Sequence, residues 1–80
     1  MKVIGYFNTQ FKTNDGTVIS GINLIYGNQI KPERGEGIFP DKPLFLTHRK
    51  LEQLDYIPVV GDEIDLVFNR DGKVQKIIRI

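Results

Sequence analysis

Hydrophobic and polar positions along this chain alternate in twos far more often than they recur at helical spacing. Residues 2–11, KVIGYFNTQF, are rich in β-branched and aromatic types, which predicts a strand. It is apolar on both parities, with Val3, Phe7 and Phe11 on one and Ile4 and Tyr6 on the other. Asn14-Asp15-Gly16 predicts a turn, because Asp and Gly tolerate the left-handed backbone a tight reversal needs. Residues 17–26, TVISGINLIY, then predict a second strand and close a hairpin. Gly21 interrupts that strand, which marks a bulge or a sharp bend.

Downstream, PLFLT at 43–47 reads as a short third strand. Thr47 is placed to cap a helix with its hydroxyl. The HRKLEQL that follows sets Leu51 and Leu54 on one side among polar neighbours, one or two turns of amphipathic helix. Pro58 bars any continuation. Period two is clearest in the next stretch, where Ile64, Leu66 and Phe68 oppose Glu63, Asp65 and Val67. NRDG at 69–72 predicts a second Asp-Gly turn. KVQKIIRI ends the chain as a strand with Val74, Lys76, Ile78 and Ile80 on one parity.

The resulting order, β-β-β-α-β-β, is that of a five-stranded OB-fold-like Greek-key barrel, with one short helix between strands three and four. An SH3-like barrel is the rival, and it would normally lack the helix. One domain is expected from 80 residues. Residues 27–42, GNQIKPERGEGIFPDK, stand out as a long flexible loop between the second and third strands. Most connections in compact domains run about 4–6 residues, so a polar segment of this length suggests function.

Composition narrows the class. Apolar residues make up 40% and charged residues 26%, as in ordinary globular proteins and unlike disordered ones. With no cysteine, a disulfide framework and a thiolate metal site are excluded, and a reducing compartment fits. The apolar runs are too short to cross a bilayer, and the first residues lack the apolar core of a signal peptide, so the expected setting is the cytoplasm. A net charge of +1 is low for a uniformly basic nucleic-acid binder. The charges are nonetheless segregated: Asp55, Asp62, Glu63 and Asp65 precede a basic stretch with Arg70, Lys73, Lys76 and Arg79.

No catalytic constellation is legible. His48 is the only histidine and reads as a solvated helix-start residue. Asp62, Glu63 and Asp65 resemble a metal cluster only in sequence, since Glu63 and Asp65 fall on the parity that faces water. No enzyme, metal or cofactor is therefore expected. Binding fits better. In OB barrels the ligand face is strands two and three with the loops that rim them. Lys12 in the first turn, Lys31, Arg34, Phe39 and Lys42 in the long loop, and Arg70 with Lys73 in the last turn would then supply cations from three segments to one edge. Tyr26 and Phe39, at the loop's entrance and exit, are the rings expected to stack on bases. The competing assignments are plain: Tyr26 and Phe39 as core residues, the alternating Lys31, Glu33, Arg34 and Glu36 as a solvated loop, and Arg70 with Lys73 as solubilising turn charges.

In element order the chain resembles the small stand-alone single-stranded DNA-binding proteins of phages and other mobile elements. KTNDGT, the loop at 27–42 and VGDEIDLVFNRDGKVQKI carry that likeness. It implies a compact OB fold whose two hairpins and loop grip a single strand, acting as a homodimer. The expected role is thus non-enzymatic binding of single-stranded DNA, in preference to RNA, with little sequence selectivity. The alternative is a protein–protein interaction module, an inhibitor or assembly subunit docking through the loop or the acidic segment 55–65.

Overall fold

A computed structural model describes all residues, Met1–Ile80. Six strands and one helix follow one another: β1 (Lys2–Lys12), β2 (Val18–Gln29), β3 (Ile38–Pro40), β4 (Leu44–Thr47), α1 (His48–Leu54), β5 (Ile64–Phe68) and β6 (Val74–Arg79). β2 is the centre of an antiparallel four-stranded sheet. β1 pairs along one of its edges, while β4 and β3 pair with successive stretches of the other. β5 and β6 form a separate antiparallel pair. Its one ladder link to the first sheet is a bridge between Lys2 and Glu63.

The two turns that the Asp-Gly pairs predict are present and built alike. In each, the glycine N–H bonds back three residues (Gly16 to Thr13, Gly72 to Asn69) and the flanking residues pair (Thr13 with Thr17, Asn69 with Lys73). Both glycines have positive φ, 87° and 78°, the left-handed position that makes glycine the natural occupant. Thr47 caps α1 as expected, accepting from the Lys50 N–H at 3.0 Å. The helix stops earlier than Pro58 requires, because Asp55 turns left-handed (φ 51°) and its N–H closes on Glu52 and Leu51.

The core lies between the two sheets and the helix. Val3, Ile22, Leu24, Tyr26, Leu46, Tyr56, Ile64 and Val74 are buried, with Leu44, Leu51, Leu54, Leu66 and Ile77 packed against them. Two irregularities decide which side chains reach it. A register shift between Val3 and Gly5 makes Ile4 the extra residue of a bulge. Val3 faces the core opposite Tyr26, but beyond the bulge Phe7 and Phe11 sit opposite Asn23 and Ile19, on the far face. A second shift, between Val67 and Phe68, pairs Ile77 with Leu66, so Val74 and Ile77 point inward while Ile78 and Ile80 stay exposed.

Three expectations are corrected. The strands number six where five are expected, with β3 added before the helix, and they are not closed into a barrel: no ladder joins β4 to β6, which leaves that seam open. The loop at 27–42 is much shorter. β2 runs on to Gln29, β3 pairs Gly27–Gln29 with Ile38–Pro40, and Asp41 N–H bonds Tyr26 C=O, leaving 30–37 as a turn. Glycine makes this closeness feasible, since a Cβ on Gly27 would lie 2.3 Å from the Phe39 carbonyl oxygen. The shape is also elongated, 51 × 24 × 20 Å with a radius of gyration of 14.2 Å. A compact chain of this length would have a radius of about 12 Å.

Candidate functional site

Residues directly opposite one another on antiparallel strands share a face. Leu24, Ile22, Leu46 and Leu44 fix the core side of the first sheet. The other side then carries Phe7, Thr9 and Phe11 from β1, Ile19, Asn23 and Ile25 from β2, and Phe45 and Thr47 from β4. None of these side chains is charged, and Lys2, opposite Gly27, is the one cation at the far end of the face. Phe7 is 53% exposed and Phe11 46%, and Phe45 is half-buried. The Phe11 and Phe45 rings lie 5.6 Å apart at 54°, a tilted pair that spans the sheet over β2. Asn23 donates to the Thr9 hydroxyl and ties the middle of the face together. Gly21 has no side chain to separate β2 from β4, and a Cβ there would come within 2.2 Å of the Leu46 carbonyl oxygen.

Along the free edge of β4 this face rolls into the open seam. A cleft of about 360 Å³ lies there, lined by Leu44, Phe45, Leu46 and Thr47 on one side, Gly72, Lys73 and Val74 on the other, and Lys50 of α1. Two ammonium groups and no carboxylate line it. Lys73 is held in place by its turn, where the Asn69 carboxamide oxygen accepts from the Lys73 and Asp71 N–H groups at 3.0 and 2.9 Å. The N-cap on Thr47 fixes Lys50 in the same way. Neither lysine has a carboxylate within ion-pair distance.

The expected site residues are dispersed along the molecule. Lys12 ends β1 at the tip of the first hairpin, while Lys31 and Arg34 sit in the turn at the opposite end of β2. A strand of 12 residues separates them, on the order of 40 Å. Lys42 lies between β3 and β4, and Arg70 and Lys73 in the β5–β6 turn. Of these, the structure brings only Lys73 to the cleft. None of the five cations Lys12, Lys31, Arg34, Arg70 and Lys73 is neutralised by an ion pair. Tyr26 is a core residue, 7% exposed, its hydroxyl pushed above the usual range by burial and by the nearby Asp41. Phe39 is 72% exposed but belongs to β3, beside Asn28, away from the cleft.

Sequence reasoning missed Phe7, Phe11, Phe45 and Lys50. The bulge at Ile4 hid the first two, because simple alternation groups them with the inward Val3. Phe45 was readable, since it is flanked by Leu44 and Leu46 and only one parity of a short strand can face the core.

The acidic residues form no cation site. Asp62 pairs with Arg79 (2.7 Å) and Glu63 faces the N-terminal ammonium (3.6 Å). No helix is long and apolar enough to cross a membrane. Comparison with family models, with curated proteins and with solved structures returns no match.

Proposed function

We propose that this chain binds single-stranded DNA, with little sequence preference and without catalysis, on the outer face of the β1-β2-β4 sheet and in the cleft beside it. The observation that carries the reading is the row of Phe7, Phe11 and Phe45, solvent-facing on a surface that ends at Lys50 and Lys73. Stacking on aromatic rings is sequence-tolerant because every base has a π-face, and each stacked base is worth about 1–3 kcal/mol. Unpaired lysines at the margin suit the phosphates of a strand crossing the sheet. With β3 taken as an edge strand added to the expected order, we read the arrangement as an OB fold opened at one seam; in that fold the corresponding sheet face and the last hairpin turn form the ligand site. The cytoplasm, where such a strand would be met, agrees with a chain without cysteine.

Anisotropy of a labelled oligothymidine, titrated at several salt concentrations, tests the reading. Binding should weaken with salt, with a slope of about −0.7 per neutralised phosphate in logarithmic units. Replacing Phe11 and Phe45 together by Ala should weaken binding by about tenfold or more. Absence of binding at low salt would refute it. One observation favours a protein partner instead: within the acidic segment, Ile57, Val59 and Val60 stand exposed next to Asp55 and Asp62. If oligothymidine does not bind, that segment is the surface of an inhibitor or assembly subunit, docked through an apolar strip between carboxylates.

A further inference from the structure

β1 is paired on one side only. Beyond Val3 no segment other than β2 pairs with it, so an edge runs open from Ile4 to Lys12. The phase of its ladder follows from the turn, where Thr13 N–H bonds Thr17 C=O at 2.8 Å. Counting back in twos, Phe11, Thr9, Phe7 and Gly5 aim their backbone groups at β2. Tyr6, Asn8, Gln10 and Lys12 therefore aim theirs outward, where nothing in the chain receives them.

Natural edge strands are blunted by charge, proline or bulges. Here the bulge comes too early, at Ile4, and no charged residue or proline lies between Lys2 and Lys12. The edge is also its own complement. Residues 7–11 read Phe-Asn-Thr-Gln-Phe, nearly the same in both directions about Thr9.

We infer that a second copy of the chain docks on this edge, β1 against β1, antiparallel and two-fold about Thr9. In that register Phe11 meets the partner's Phe7, Thr9 meets the partner's Thr9, and Asn8 meets the partner's Gln10. These are the aromatic, hydroxyl and amide pairings that favour cross-strand contact. Lys12 falls opposite the partner's Tyr6, a cation over an aromatic ring, and no like charges are opposed. All four outward residues on each copy find partners, giving about eight hydrogen bonds, two for each directly bonded pair. A foreign strand would have to supply this same pattern; a second copy brings it by symmetry. Tyr6, Phe7 and Phe11 are each about half exposed, so the six rings of the two copies hold on the order of 600 Å². The paired edges cover part of that ring surface together with the backbone and the amide side chains, a contact at the small end of protein interfaces, and leave the outer ring faces open. The two sheets become one, and their phenylalanine rows run on across the axis. The inference stands without the nucleic-acid reading, and its test contains no nucleic acid.

Sedimentation velocity of the unmodified chain at about 100 µM should show a species of twice 9.2 kDa. The chain has no cysteine, so Thr9→Cys adds a single thiol. At a non-bonded antiparallel pair the Cα atoms lie about 4.5 Å apart, within disulfide range. Diamide, which takes up the two electrons and two protons of the paired thiols, should convert T9C to a covalent dimer. Asn14→Cys, at the exposed turn, should remain single under the same treatment. A monomeric parent chain would overturn the inference. So would a dimer in which T9C fails to cross-link, or in which N14C cross-links equally fast.

Discussion

Gly21 and Gly5 show how differently two glycines of neighbouring strands can matter. At Gly21 an added Cβ would lie 2.2 Å from the Leu46 carbonyl oxygen and 2.8 Å from the Thr47 Cα, both backbone atoms. Gly21→Ala must therefore push β4 off β2, and a loss of at least about 2 kcal/mol is expected in urea unfolding. At Gly5 a Cβ would meet nothing within 4 Å. Gly5→Ala should stay within about 0.5 kcal/mol of the parent. Asp15 is a residue-scale case of a different kind. The Thr13 hydroxyl, and then the backbone and side chain of Thr17, hold its carboxyl at about 2, below the usual 3.8. A depressed carboxylate contributes its stability above the ordinary value and loses it as pH falls through the folded one. Fraying of the first turn between pH 4 and 2, absent in Asp15→Asn, is the outcome to look for in amide exchange of Gly16 and Thr17.

At the scale of elements, the cations Lys31 and Arg34 and the pair Lys50 and Lys73 make opposite predictions. Lys31 and Arg34 lie beyond the end of β2, roughly 25 Å of strand from the level of Phe45. That distance is about three Debye lengths at physiological salt. Reversing both charges should leave oligothymidine affinity within about twofold. Reversing Lys50 and Lys73 should reduce it by tenfold or more and flatten the salt slope by about 1.4. The turns, both hairpins and the cap on Thr47 were all legible in sequence, because each rests on local chemistry or unbroken alternation. The bulges were not. A single extra residue at Ile4 reverses every side chain after it, and nothing in KVIGYFNTQF says on which side of Gly5 the reversal falls. The same limit applies to β6, where the bulge beside Phe68 moves Ile77 inward and leaves Ile78 outside. Residues 27–42 misled for another reason: prolines and glycines that mark a loop are also tolerated on an edge strand, which is what β3 is.

For the molecule as a whole, the open seam and the projecting first hairpin set function and stability against each other. Only eight hydrophobic residues are buried, and of these Leu24 and Ile64 are completely enclosed. Leu24→Ala should cost about 2–5 kcal/mol and, in so small a domain, abolish most of the folded population. Phe45→Ala, on the opposite side of the same sheet, should cost far less stability while weakening ligand binding. That division between an inward face that holds the fold and an outward face that meets a strand is the central claim. It is tested most directly by amide chemical-shift mapping of the ¹⁵N-labelled chain during titration with oligothymidine. Shifts should concentrate on Phe7, Phe11, Asn23, Phe45, Lys50 and Lys73, with the turn at 30–37 unmoved; shifts centred on that turn, or none at all, would contradict it.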